Sequence, residues 1–236
     1  AAETFDGVID LVKMKALYFD MKSLGKTVIE KDIPEEYVEK ANEYRQKMVE
    51  SAAEQDDALM EKFFAGEELT NDEIKKAIRK GCLARTITPA FCGTAFKDKG
   101  IQPLLDAVCA YLPSPLDAGP AVSADDPTQK REVSDAEPFC GLAFKIMNDP
   151  RSGGKITFVR VYSGTLKLGE ELLDSTINKE QRISRLFRMH ASKQEPLDEA
   201  HAGDIVACVG LTETRTGDTL CDPEHPITLE SIDFPA

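Results

Sequence analysis

Residues 113–137, "PSPLDAGPAVSADDPTQKREVSDAE", divide the chain into two parts that differ in pattern. The stretch is rich in Pro, Ala, Ser and Asp, has almost no large apolar residues, and reads as a linker between domains. Before it, apolar residues recur at helical spacing. After it, from Pro138, they fall in short β-rich runs: "FCGLAFKIM", "KITFVRVYSG", "EELLDST", "RISRLFRMH", "DIVACVGL" and "ITLESIDF". Gly, Pro, Asp or Asn separate the runs, which argues for a closed antiparallel barrel or a sandwich.

In the first part, "TFDGVIDLVKMKALYF" reads as strand. The following "DIPEEYVEKANEYRQKMVESAAEQDDALMEKFFAGEEL" repeats Tyr37, Ala41, Tyr44, Met48 and Ala52 at helical spacing. Pro34 suits its first turn and Gly66 its C-terminal cap, so a long amphipathic helix is expected, broken near Asp56. Thr70 and Glu73 form a capping box ahead of Ile74, Ala77 and Ile78, with Gly81 closing a short helix. Residues 86–112 then read as strand, turn and helix, ending at Pro113. The turn, "CGTAFKDKG", is the kind of small-residue loop that presents backbone N–H groups to a ligand. Taken alone, it reads as an ordinary strand-to-helix turn.

Composition limits the functions available. With 42 acidic and 29 basic residues the formal net charge is −13, which excludes a general nucleic-acid-coating or anionic-membrane role. Any RNA contact must be local. The six cysteines lie far apart with no C-x-x-C pair, and four sit inside apolar runs. They read as reduced core residues of a cytoplasmic protein. No apolar stretch approaches the roughly 20 residues that span a bilayer, and the N-terminus has no targeting pattern.

Catalytic patterns are absent: there is no H-E-x-x-H, G-x-S-x-G or D-x-x-G, and His190, His201 and His225 are isolated. "DPRSGGKIT" approaches a phosphate-binding loop, but Asp149 replaces its first glycine and Ile156 its magnesium-binding Ser/Thr. It opens a β-rich run and reads better as a hairpin turn. The Asn-Lys pair in "NKEQ", residues 178–181, lacks the Asp that grips a guanine ring.

Two charged groupings stand out. Glu50, Glu54, Asp57 and Glu61 fall along one side of the expected helix with no basic residue before Lys62. The window 181–194, "QRISRLFRMHASKQ", holds Arg182, Arg185, Arg188, His190 and Lys193 and no acid, although residues from Pro138 onward carry 11 basic and 15 acidic residues. Strand alternation puts Arg182, Ser184, Arg188 and His190 on one face, with Ile183, Phe187 and Met189 in the core. Solvated surface is the plain reading of both groupings.

The runs "PFCGLAFKIMNDPRSGGKITFVRVYSGTLKLGEELL", "RMHASKQE" and "AGDIVACVGLTETRTGDTLCDPEHPITLESIDFP" resemble the second domain of bacterial-type elongation factor G. "FDGVIDLVKMKA", "IPEEYVEKANEYRQKMVESAAE", "LMEKFFAGEELTNDEIKKAIR" and "FCGTAFKDKGIQPLLDAVCAYLPSP" resemble earlier parts of that family, in the same order. The resemblance implies an α+β multidomain chain, in which an α/β portion of a P-loop GTPase domain with its inserted subdomain precedes a translation-factor β-barrel. It places a partial inserted subdomain at 1–85, the last strand and helix of the GTPase domain at 86–112, the linker at 113–137 and the second domain at 138–236.

"CGTAF" then resembles the fifth guanine-nucleotide motif, with Thr94 where the family usually has Ser. Thr94, Ala95 and Phe96 are expected to form one edge of the guanine site. The phosphate loop, both switches and the base-discriminating motif are expected upstream, and the third to fifth domains downstream. GTP or GDP and magnesium therefore belong to the full-length parent, a GTPase that drives ribosomal translocation. This portion by itself is expected to hold no cofactor and to be inactive.

The resemblance further implies a monomer contacting the ribosome: Arg182, Arg185, Arg188, His190 and Lys193 would meet small-subunit rRNA, and Glu50, Glu54, Asp57 and Glu61 the large-subunit stalk protein. The alternatives are a freestanding ribosome-binding protein derived from such a factor, or part of a class II release factor or ribosomal-protection protein.

Overall fold

The computed structural model describes residues 5–149, 154–191, 193–230 and 232, which form two compact units, Ala1–Pro113 and Ser114–Ala236.

The first unit opens with three antiparallel strands in sequential order, β1 (Gly7–Asp10), β2 (Lys15–Phe19) and β3 (Val28–Lys31). The run read as one strand is thus a hairpin. Asp10 accepts from the N–H groups of Val12 and Lys13, bending the chain back after four residues. Arg45, on the helix α1 (Glu35–Ala53), donates to the carbonyls of Leu11 and Val12 at 2.6 and 2.7 Å and ties this turn to the helix.

The expected break after α1 is present. Asp56 is extended, and its carboxylate accepts from Ala58 N at the start of α2 (Asp57–Phe64). Of the residues at helical spacing, Ala41 and Ala52 are buried and Met48 partly so, but Tyr37 and Tyr44 remain 48% exposed.

Both halves of the Thr70–Glu73 capping box form at the head of α3 (Asn71–Leu83). Gly81 does not end this helix, which runs two residues further. A β-carbon there would lie 2.8 Å from Ile87 Cδ1 and 3.0 Å from Gln55 Cγ, so the glycine admits neighbouring side chains. Residues 86–93 have no ladder partner among the described residues, and the expected strand is not formed. A strand exists only through hydrogen bonds to a neighbour.

The helix that follows, α4 (Ile101–Tyr111), is present, and Arg79 donates to its terminal carbonyls at Ala110 and Leu112. Ala52, Ala53, Ile74, Ala77, Ile78, Ala107 and Tyr111 form the core shared by α1, α3 and α4. Burying a side chain such as Ile74 contributes roughly 1.5–3 kcal/mol.

In the second unit, most of the stretch read as a linker is laid against the sheet. The pair β4 (Ala121–Val122) and β5 (Lys130–Arg131) buries Ala121 beside Cys140, Cys221, Ile227 and Leu229. Backbone pairing and the side chains of Gln129 and Arg131 hold this strap.

Beyond it lie β6 (Cys140–Asp149), β7 (Gly154–Ser163), β8 (Leu166–Lys167), β9 (Glu171–Asp174), β10 (Lys179–Arg182), β11 (Arg185–His190), β12 (Lys193–Pro196), β13 (Glu199–Ala200), β14 (Ile205–Val209) and β15 (Thr219–Cys221). Eight of them form one antiparallel sheet in the order β10-β9-β15-β6-β7-β14-β11-β12, and β8 pairs with β13. One face of this sheet curls round a single core of Val159, Val161, Leu172, Ile183, Leu186, Val206, Cys208 and Leu220. One continuous curled ladder replaces the two layers of a sandwich. The connection in "DPRSGGKIT", residues 150–153, lies outside the described residues. The strands on either side pair antiparallel, with Asp149 opposite Gly154.

Candidate functional site

The loop after residues 86–93 is closed by backbone. Thr94 N donates to Lys99 O at 2.9 Å and Lys99 N to Thr94 O at 3.2 Å, while Ala95–Lys97 make a single 3-10 turn ended by Asp98 at φ 50°. Its glycines serve this closure. Gly100 has φ 85°, and a β-carbon on it would lie 2.8 Å from Gly93 Cα and 2.9 Å from Cys92 O. Thr94 N–H is therefore spent within the loop. Ala95 and Phe96 are exposed, Phe96 fully so. No group of three His, Cys, Asp or Glu among the described residues is placed to hold a metal ion.

The four helix acids are all exposed but do not share one helix. Glu50 lies in the last turn of α1, Glu54 is its C-cap, Asp57 opens α2 and Glu61 lies one turn on. The α1–α2 break interrupts the expected stripe. Helix spacing does not carry across Asp56, which takes the extended conformation. Asp56 itself pairs with Lys80 at 2.9 Å, which lowers its carboxyl's pKa. A cleft beside α1, about 330 Å³, is lined by Arg45, Val49, Phe63, Glu67, Glu68 and Leu69.

The basic window is dispersed as well. Arg182 ends β10 and donates to Gly169 O at 2.8 Å, and the ladder breaks at Ile183–Ser184 before β11. Ser184 bonds Val209 O, and Ile183 fills the core. Within β11, Leu186 faces the main core, while Phe187 and Met189 pack on the opposite face with Ile156 and Ala207. Arg185 therefore shares a side with Phe187, and Arg188 and His190 point the other way.

Folding also brings in acids that the window lacks. Glu195 stands opposite Arg188 and lies 3.2 Å from His190, and Asp204 lies 3.8 Å from Arg188. Arg185 and Lys193 meet no acid among the described residues. Sequence reasoning missed these neutralising partners because they come from β12 and from the turn before β14, outside the window.

It also missed a buried polar cluster at one edge of the sheet. Asp174, fully buried, accepts from Thr214 Oγ1 at 2.9 Å, and Gln181 Nε2 donates to that hydroxyl at 2.7 Å. Burial raises the pKa of the Asp174 carboxyl, and burial lowers that of the Lys155 ammonium, which donates to the carbonyls of Thr212 and Thr214. The cluster pins the loop before β15. Gln181 was the one sequence signal, a polar residue between β-rich runs.

Two likenesses to known proteins bear on these surfaces. Residues 154–221 match the family described as elongation factor Tu domain 2. The chain is similar to a solved crystal structure from Thermus thermophilus, at 26% sequence identity and a TM-score of 0.71, over 94% of this chain and 30% of that one. It thus spans about a third of the length of that relative. Together they support a translation elongation factor-like chain that joins a mixed α/β unit to a translation-factor second-domain sheet. No helix among the described residues is long and apolar enough to cross a membrane.

Proposed function

We propose that the chain is an internal portion of a bacterial-type elongation factor G, the GTP-dependent translocase of the ribosome, and that it supplies ribosome-facing surfaces and one edge of the guanine site. The observation that carries this reading is the coincidence of the second-domain match at 154–221 with a fold likeness over 94% of the chain. The α4 face adds support. Leu104, Leu105, Val108 and Leu112 are 44–58% exposed in one row, as a helix that covers a parallel sheet in a larger α/β domain would leave them.

In the full-length parent, residues of the phosphate loop would hold GTP and magnesium, and the amides of Ala95 and Phe96 would meet the purine carbonyl. In this chain Arg185 and Lys193 approach small-subunit rRNA phosphates, supported by Arg182, Arg188 and His190. Glu50, Glu54, Asp57 and Glu61 face the stalk protein. The parent works as a cytoplasmic monomer.

Co-sedimentation of the purified chain with ribosomes over a salt series tests the reading. Retention at low salt that declines steeply as salt rises is expected. A chain that stays in the supernatant at the lowest salt refutes it.

A further inference from the structure

Cys140, the first residue of β6, stands directly opposite Cys221, the last residue of β15. Neighbouring bonds show what kind of pair this is. Asp222 N donates to Phe139 O at 3.0 Å and Ala143 N to Asp218 O at 2.9 Å. Hydrogen-bonded positions alternate along an antiparallel ladder, so 139 with 222, 141 with 220 and 143 with 218 are such positions. Cys140 and Cys221 occupy a non-hydrogen-bonded one. Pairs of that kind have Cα atoms about 4.5 Å apart, inside the window of about 4.4–6.8 Å that a disulfide accepts. Both side chains are fully buried and share one cluster with Ala121, Ile227 and Leu229, so they project from the same face of the sheet. The other buried cysteine, Cys208, stands opposite Thr157.

The cover over this pair is thin. Ala121 belongs to the two-residue strand β4, and Ile227 and Leu229 to the segment after β15. Three bonds hold the strap of residues 121–131 to the later segment, Ala124 N to Thr228 O at 2.9 Å, Gln129 Nε2 to Pro226 O at 2.9 Å and Arg131 Nη2 to His225 O at 3.1 Å, with a bridge between Ser123 and Leu229. The later segment is itself tied to the sheet by Ser175 Oγ to Ile227 O at 2.8 Å and Leu229 N to Thr219 Oγ1 at 3.0 Å. Short pairings of this kind open locally well before the sheet unfolds.

We propose that Cys140 and Cys221 form a reversible cross-strand disulfide with a small disulfide oxidant of the glutathione type, admitted when the strap of residues 121–131 lifts off residues 225–229. One thiol gives its proton to water, and the thiolate attacks a sulfur of the oxidant, expelling a thiolate that is then protonated. The second protein thiol, also deprotonated, attacks the protein sulfur of the mixed disulfide and expels the other half of the oxidant. Two protein thiols are oxidised and one oxidant disulfide is reduced to two thiols. Under the closed strap, burial pushes the Cys140 thiol up to about 12 and raises that of Cys221, so the nucleophilic thiolate is scarce and the pair stays reduced.

The test uses the whole chain, equilibrated in oxidised and reduced glutathione, trapped with N-ethylmaleimide and mapped by mass spectrometry. A species short of two hydrogen atoms is expected, whose digest joins the Cys140 and Cys221 peptides. It should form several-fold faster in Arg131→Ala, which frees the strap from His225. The species should vanish in Cys140→Ser, and in Cys221→Ser should the first variant fold poorly. Linkage of other cysteines, such as Cys92 to Cys109, or glutathione added only to exposed thiols, overturns the pair. An unchanged rate in Arg131→Ala overturns the gate.

Discussion

Thr70 and Glu73 anchor α3 through a box legible in the sequence, because it involves only residues three apart. Replacing Thr70 with Ala leaves Glu73 N without its acceptor and should cost about 1 kcal/mol, read as a lower denaturant midpoint with unchanged slope. The Glu73 carboxyl is held at about 2, first by the Lys62 ammonium 2.8 Å away and then by Thr70, against an ordinary value of 4.5. A depressed carboxyl stabilises the fold above its unfolded value, and that contribution disappears as pH falls from 4.5 towards about 2. Acid titration of the helical signal should therefore lose a component in this window, and Glu73→Gln should lack it. An identical acid limb in the variant would refute the assignment. Gly81 was legible only as a glycine: a residue that ends a helix and one that admits Ile87 look the same until the chain returns to pack there.

Helix spacing located α1, α2 and α3 because amphipathic periodicity is local. It misplaced the acids because one extended residue, Asp56, resets the register of everything after it. The break changes which substitutions are informative. Asp57 opens α2, where a negative charge favours the helix dipole, so its reversal would confound folding with binding. Glu50→Lys, Glu54→Lys and Glu61→Lys together should instead slow association with the stalk protein several-fold at low salt, with little change in dissociation. Stopped-flow rates equal to the unaltered chain's would leave these acids as solvated surface. On the sheet, the alternation read across 182–190 is interrupted at Ile183, and the acids that fold onto this region lie outside residues 181–194, Glu195 just beyond the end and Asp204 in the turn before β14. Hence Arg185→Glu with Lys193→Glu should weaken ribosome retention and reduce its salt slope by about two, more than Arg188→Glu, whose charge already lies 3.8 Å from Asp204. Equal effects of the two variants would mean that the folded environment of these cations does not govern contact.

At the scale of the whole molecule, residues 113–137 read as a linker, whereas the compact units divide at Pro113 and Ser114, and no pattern signals the insertion of β15 between β9 and β6. Those pairings link residues some fifty and some eighty positions apart, and no local pattern encodes them. The same scale decides what the chain does with nucleotide. In GTPases most affinity and nearly all catalysis come from the phosphate loop, its lysine and the magnesium between the phosphates; the sequence here contains no G-x-x-x-x-G-K-[ST]. What remains is the loop at 94–96, where Thr94 N–H is already bonded to Lys99 O. Its two remaining amides offer a net contribution of roughly 1 kcal/mol each, too little to offset the several kcal/mol lost in immobilising a ligand. Isothermal titration of the purified chain with GDP and magnesium should therefore give no saturable heat at micromolar concentration, and GTP should survive prolonged incubation. Saturable binding that Ala95→Pro abolishes would mean that this loop, closed on itself through Thr94 and Lys99, is nonetheless a nucleotide site in its own right.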